Sequence, residues 1–256
     1  MSAATETTSA TSRFALTLID LLDRVQYRRV SVADQFDPVY RLRYDAYRRE
    51  EFIPVNSQQI TRDAYDGAPN CHCFGVYIDE RLVSSIRLHI VSAEHPISPS
   101  RSIWPDVLGG IVESGGSYVD PSRFTADHDA SLEFPALPYL TLRMAVMACE
   151  YFNASYCISS VRPEHGPFYR RVFGLEQMAG IGYWGELTFP VCLFGAAVPV
   201  IYDKIMDRFP FFMSTAEERA VLFGPGARSV AAIAPSARQA HRLRLIDQAE
   251  AEREAV

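Results

Sequence analysis

The sequence predicts an α/β (α+β) chain in which a mixed sheet carries helices on both faces. Three observations point there. Residues 73–78 and 82–91 read as two strands joined by the polar turn Asp79-Glu80-Arg81. Apolar residues recur at helical spacing in 33–50 and 138–152. Beyond residue 138, helical and strand-like segments alternate instead of clustering by type, the pattern of a sheet covered on two sides.

The elements follow in order. Residues 1–12, rich in Ser, Thr and Ala, read as a disordered leader. Residues 14–23 have the spacing of a short amphipathic helix, and 27–32 that of a first strand. In 33–50, Phe36, Val39, Tyr40, Leu42, Arg43, Ala46 and Tyr47 mark a helix. A polar loop over 54–69 leads into the hairpin. The Pro-, Ser- and Gly-rich stretch 92–116 predicts a long loop with one short helix near 104–108, and loops of that length are often functional covers. A strand is expected over 117–124, then irregular chain to Pro135. The apolar helix 138–152 follows, then a buried strand over 156–161. A helix over 164–173 is stopped by Gly174, a suitable C-cap. A last strand is expected at 187–194, with helices at 199–209 and 236–255.

With 256 residues, the chain has room for one sizeable domain with decorated ends. The domain is expected at 13–195, with a helical extension over 196–256. A net charge of −6 gives no general attraction for nucleic acid or anionic membrane. The five cysteines are odd in number and lack a dense framework, which argues against a disulfide scaffold. Cys71-His72-Cys73 has no second ligand pair at zinc spacing, so no metal is expected. The start lacks a basic region followed by an apolar one, and 189–201 is too short and proline-broken to span a bilayer. A reduced cytoplasmic setting is the expectation.

Chemistry concentrates in four polar clusters. They are Arg41 and Arg43 with Tyr44 and Tyr47; Arg62-Asp63-Ala64-Tyr65-Asp66; Arg87; and Asp120-Pro121-Ser122-Arg123-Phe124. Arg87 interrupts the strand-like Val83-Ser84-Ser85-Ile86-Arg87-Leu88. A cation buried in a central strand needs a partner, and Asp63, Asp66 and Asp120 are the candidates. Such a cluster has two readings: a structural ion network, or a device that orients an acceptor's carboxylate while another carboxylate draws a proton from its amine.

The order Leu42-Arg43, Asp63-Ala64-Tyr65-Asp66, Ser85-Ile86-Arg87-Leu88 and Asp120-Pro121-Ser122-Arg123-Phe124 resembles the signature shared by autoinducer (acyl-homoserine lactone) synthases and long-chain N-acyl amino acid synthases. The resemblance spans about residues 40–174 and rests on several motifs in sequence. It implies a GNAT-like fold, a mostly antiparallel central sheet flanked by helices. It also implies an acyltransferase. Asp120 stands where Glu is usual, and Glu51-Phe52-Ile53-Pro54 lacks the tryptophan typical of autoinducer synthases. The missing tryptophan favours the N-acyl amino acid branch over the lactone branch.

The resemblance implies catalytic roles for Asp120, Arg87, Arg123 and Tyr169. Asp120 would accept the amine proton, alone or through water. Arg87 and Arg123 would orient the acceptor, and Tyr169 would protonate the departing thiolate. Arg43, Asp63, Asp66 and Tyr47 are the expected acceptor-binding residues. The apolar segments 138–152 and 156–161 are candidates for an acyl tunnel, or for ordinary core.

Where GNAT enzymes that use acetyl-CoA carry a glycine-rich pyrophosphate loop, this chain has the glycine-free stretch 125–133 with Asp127, Asp129 and Glu133. That points to a donor on the phosphopantetheine of acyl carrier protein, with no separate cofactor. Arg143, Arg170 and Arg171 are candidates to meet the acidic carrier. The other expected partner is a small amino-acid-like acceptor, with membrane contact only peripheral, through a lipid product. Three functions stay open: carrier-protein-dependent N-acyl amino acid synthase, acyl-homoserine lactone synthase using S-adenosylmethionine, and a non-catalytic acyl-binding or regulatory domain.

Overall fold

The structure is a computed structural model that describes residues 12–184, 188–225 and 233–254. The expected leader lies outside these residues except for Ser12. Its hydroxyl accepts the Ala15 N–H (3.2 Å) and caps α1 (Arg13–Leu22). The chain continues through β1 (Val25–Arg29) and α2 (Pro38–Arg49), with Asp37 as N-cap and Pro38 at the first helical position. That proline starts the helix five residues later than the periodicity suggests. The hairpin is β2 (Cys71–Ile78) and β3 (Arg81–Val91), turned by Asp79 and Glu80, both at positive φ.

The stretch read as a long loop contains α3 (Pro99–Ile103), which was not expected, and α4 (Pro105–Glu113), which covers and extends the short helix expected near 104–108. Each has proline at its N-terminus, where it favours a helix instead of breaking one. The strand β4 (Tyr118–Ala126) leads into α5 (His128–Glu133), where irregular chain was expected. Its cap is Asp127, which accepts the Ala130 N–H (3.0 Å). Next come α6 (Leu137–Tyr151), β5 (Tyr156–Val161) and α7 (Gly166–Phe173). Gly174 ends α7 in the left-handed conformation, as expected. β6 (Glu176–Gly182) has no counterpart in the sequence reading, because it is an exposed edge with little apolar alternation. β7 (Val191–Ala197), α8 (Val198–Arg208), α9 (Ala216–Phe223) and α10 (Ala237–Glu254) complete the described elements. The expected last strand began at residue 187, outside the described residues.

Among the described residues the strands form one sheet in the order β1-β2-β3-β4-β5-β7-β6, in which β4 and β5 pair in parallel and the other neighbours antiparallel. One face packs α2 and α4 over Cys73, Val91, Tyr118 and Ile158. The other packs α1, α6, α7 and the C-terminal helices over Phe74, Ile86, Leu88 and Val119. Alternation within each strand sends neighbours to opposite faces. After α8 the chain is bolted to α6. Arg143 is fully buried and donates to both carboxylate oxygens of Glu218 (2.5 and 2.8 Å) and to the carbonyls of Phe211 and Met213. Ser236 donates its N–H and hydroxyl to the same carboxylate (2.9 and 2.6 Å). Arg143 therefore cannot meet an acidic carrier protein. Arg170 and Arg171 are exposed. Among the described residues, no helix is long and apolar enough to cross a membrane.

Candidate active site

The site begins with two local irregularities in β4. Ser85 pairs with Thr125 but Arg87 with Ser122, so β4 carries an extra residue against β3. Arg123 sits in this bulge at φ 52°, and bulges re-aim side chains in this way. Pro121 lies one position before Ser122 and has no N–H to give a neighbour. Pairing with β5 stops at Val119–Cys157, and the two strands then splay apart. A cleft of about 700 Å³ opens between them, lined on one side by residues 121–126 and on the other by 159–162.

On the α2 face, five charged residues form a chain of ion pairs. Arg43 Nη1 meets Asp66 Oδ1 (2.8 Å), and Arg87 Nη1 meets Asp66 Oδ2 (3.2 Å) and Asp63 Oδ1 (2.6 Å). Arg123 Nη2 meets Asp63 Oδ2 (2.7 Å). The two aspartates also cap each other's turn, since Asp63 N–H donates to Asp66 and Tyr65 N–H to Asp63. Burial alone would raise the Asp63 carboxyl, but Arg87 and Arg123 pull it down to about 2. Asp66 is lowered in the same sense by Arg43 and Arg87.

Three arginines face two aspartates, which leaves one positive charge. Buried Arg87 Nη2 and Arg123 Nε and Nη1 have no partner among the described residues. Such orphan donors are rare and mark a place for an acceptor group. The Arg123 guanidinium lies 4.3 Å from the Trp184 ring and 5.3 Å from that of Tyr47.

The expected residues divide by depth. Arg123, Tyr47 and Tyr169 line the cleft. Arg43 and Asp66 are completely buried behind it, with Arg43 Nη2 also donating to Cys73 Sγ (2.9 Å). Their place is to brace Arg87 and Asp63. Asp120 departs most from expectation. It makes no ion pair with Arg87 and does not reach the cleft wall. Its fully buried carboxylate accepts the N–H (3.1 Å) and hydroxyl (2.7 Å) of Ser100 at the start of α3. Burial raises its pKa against the pull of these hydrogen bonds. Ser100 Oγ is also 2.6 Å from Ser160 Oγ, and both serines border the cleft.

On the α6 face the cleft continues into an apolar pocket of about 40 Å³. Pro121, Leu142, Ser159 and Tyr169 line both spaces. The expected tunnel segments contribute Ala145, Val146 and Cys149 from α6 and Cys157 and Ile158 from β5. The opposite wall, Val198, Ile201, Tyr202, Ile205 and Met206, comes from α8. Burial pushes the Tyr169 hydroxyl up to about 12, against a smaller opposing pull from Ser159.

Ser100, Ser160 and Trp184 escaped the sequence reading. Two adjacent hydroxyls in the apolar strand Ile158-Ser159-Ser160-Val161 were a usable signal. Trp184 was not, because it reaches Arg123 from the far edge of the sheet. Although the segment after α2 has no tryptophan, an indole thus stands over the arginines from another element.

Comparison with known proteins agrees with this architecture. The structure of FeeM, an N-acyl amino acid synthase from uncultured soil microbes, matches with TM-score 0.55 and 21% identity over 69% of this chain and 92% of that one. The CoA-dependent acyl-homoserine lactone synthase MesI matches with TM-score 0.52 and 14% identity, covering 75% and 97%. The CoA-dependent lactone synthase BjaI, with SAM and isopentyl-CoA, matches with TM-score 0.50 and 15% identity, covering 72% and 89%. These likenesses establish the GNAT-like fold. No curated protein matches the sequence. A family model described as N-acyl amino acid synthase FeeM matches residues 38–197, from α2 through β7. The chain thus belongs to the FeeM family of N-acyl amino acid synthases, and is an acyltransferase of GNAT-like fold.

Proposed function

We propose that this protein transfers a long-chain fatty acyl group from acyl carrier protein to the amine of an amino acid. One observation carries the reading: the β4–β5 splay joins a pocket with unpaired guanidinium donors on one face of the sheet to an apolar pocket on the other. An amino acid in the cleft offers its carboxylate to Arg123, whose Nε and Nη1 have no partner among the described residues, while Arg87, buried behind the cleft wall, adds positive charge through Asp63. Charge-assisted, bidentate pairing suits both partners. The apolar lining of the second pocket suits a fatty acyl chain in character, and at about 40 Å³ the pocket must widen along α8 to admit a long one. The thioester then lies in the splay, with its carbonyl between the facing edges of β4 and β5.

Tyr169 stands at the junction of the two spaces. Its raised pKa keeps it protonated and able to donate to the departing thiolate. Asp120 is the proton acceptor for the amine. The carrier-protein donor is supported by α5. Its first turn is capped by Asp127, whose carboxylate pairs with Arg81 at 2.5 Å, so no free N–H cluster is offered there to a pyrophosphate. Arg49 and Arg162 on the cleft wall, with exposed Arg170 and Arg171, give an acidic carrier a basic approach.

The test is mass spectrometry of lipid extracts from an expressing host, followed by assays with purified protein. N-acyl amino acids are expected in the wild-type extract and are lost in Arg123→Gln. N-acyl lactones instead would establish the lactone-synthase reaction, and neither product would establish a non-catalytic role. With purified protein, kcat/KM is expected to be higher for acyl carrier protein thioesters than for CoA thioesters of equal length. The reverse order would refute the donor assignment.

A further inference from the structure

We infer that the amine proton reaches Asp120 through a relay of two hydroxyls, Ser160 and then Ser100. The inference rests on the N-acyl transfer reading and adds to it the residue that touches the amine. Asp120 is fully buried and absent from the cleft wall, so it cannot contact an acceptor directly. Ser100 has one hydroxyl proton, and it points at Asp120 Oδ1 (2.7 Å). At 2.6 Å from Ser160 Oγ, Ser100 must therefore accept from Ser160. Ser160 is half-buried and borders the cleft, so it is the exposed end of an ordered chain whose hydrogen bonds all run toward the carboxylate.

The step balances. As the acceptor ammonium loses its proton to Ser160 Oγ, the Ser160 proton passes to Ser100 Oγ and the Ser100 proton to Asp120. The amine is left with a free electron pair for the thioester carbonyl, and Asp120 is left neutral. As the C–N bond forms and the C–S bond breaks, the nitrogen sheds its second proton; Tyr169 gives its own proton to the departing thiolate and regains that second one, while the first leaves Asp120 along the same hydroxyls to solvent in the cleft and returns the carboxylate to its charged form.

The surroundings fit a carboxylate that changes charge. Arg87 and His89 face it from β3, Tyr118 from its own strand, Ser98 and Ser100 from α3, and Ser160 from β5. Arg87 is already committed to Asp63 and Asp66. His89 is held near 4 by burial and by Arg87, and is neutral when the amine is processed. The raised pKa of Asp120 makes it a stronger base than an ordinary carboxylate.

Two measurements test the relay. In Ser160→Ala, kcat is expected to fall by ~100-fold or more, within the range of general base catalysis. KM for the amino acid changes little, because its carboxylate stays on Arg123. The acid limb of the pH–kcat profile disappears in Ser160→Ala, returns in Ser160→Thr, and persists in His89→Gln. Separately, isotope-edited infrared titration of the Asp120 carboxyl in protein without substrates should show its pKa rising further in Ser100→Ala, because a hydrogen bond to the charged form is lost. It should rise by less in Ser160→Ala. A wild type that makes no N-acyl amino acid would overturn the function and the relay with it. Wild-type product with an unchanged rate and acid limb in Ser160→Ala would overturn the relay alone, as would an unmoved Asp120 titration in Ser100→Ala.

Discussion

Replacing Asp63 by Asn should show how far the ion chain holds the site together. Asp63 bridges Arg87 and Arg123 and has a side chain 23% exposed, with its carboxyl drawn from the ordinary 3.8 to about 2. Each tenfold change in an acidity constant is worth ~1.36 kcal/mol, so the ionised side chain contributes on the order of 2 kcal/mol near neutral pH. The sign is that of a depressed carboxylate: the contribution is fully present above the unfolded value of 3.8 and is lost as pH falls through about 2. Integrating the two titrations leaves roughly half of that at pH 3. Urea unfolding of wild type and Asp63→Asn should therefore show a stability gap that narrows by ~1 kcal/mol between pH 7 and pH 3. The gap at pH 7 is larger than this contribution alone, because Asn leaves Arg87 and Arg123 partly uncompensated. A gap that stays constant or widens toward pH 3 would refute the reasoning. Acceptor KM should rise as well, since Arg123 loses the carboxylate that aims it.

Two further outcomes follow from the packing around the cleft. Filling the apolar pocket with Ile201→Trp should shift donor preference to shorter acyl chains, by roughly fourfold in kcat/KM per methylene excluded, from ~0.8 kcal/mol per buried CH₂. Competition assays with mixed chain lengths would read this, and an unaltered product distribution would place the acyl chain elsewhere. Glu218→Gln should destabilise the fold by ~3–5 kcal/mol by leaving Arg143 buried without its anion. The double variant Arg143→Met/Glu218→Leu should recover much of that loss in thermal unfolding. If the single variant matches wild type, the bolt between α6 and the C-terminal helices is not an energetic one.

What the sequence determined was local or carried by motif order. The hairpin was legible because Asp79-Glu80 flanked by apolar strands has few alternatives, and α7 because Gly174 suits a left-handed cap. Arg87 announced an ion network, because a cation in a strand must be neutralised from elsewhere in the chain. Proline misled at α3, where Pro99 begins a helix inside an expected loop, since proline is excluded from helix interiors and welcomed at their first turn; α4, begun by Pro105, contains the short helix expected near 104–108 and extends it. Helix α5 was hidden by its polar sequence, and β6 by weak alternation on an exposed edge.

Only the tertiary structure decided which charges meet. Asp63, Asp66 and Asp120 were equivalent candidates for Arg87. Two of them take it because their turn folds back over β3, while Asp120 points at the start of α3. Spacing along a chain fixes the face a side chain leaves by, not the partner it finds across the sheet. The cleft has the same origin. Pro121 and the Arg123 bulge are visible as residues, but their effect appears only where β4 meets a parallel neighbour that it cannot follow. The α8 wall of the apolar pocket and the Ser160–Ser100–Asp120 chain join segments far apart in sequence, and no local pattern records a contact that only packing creates.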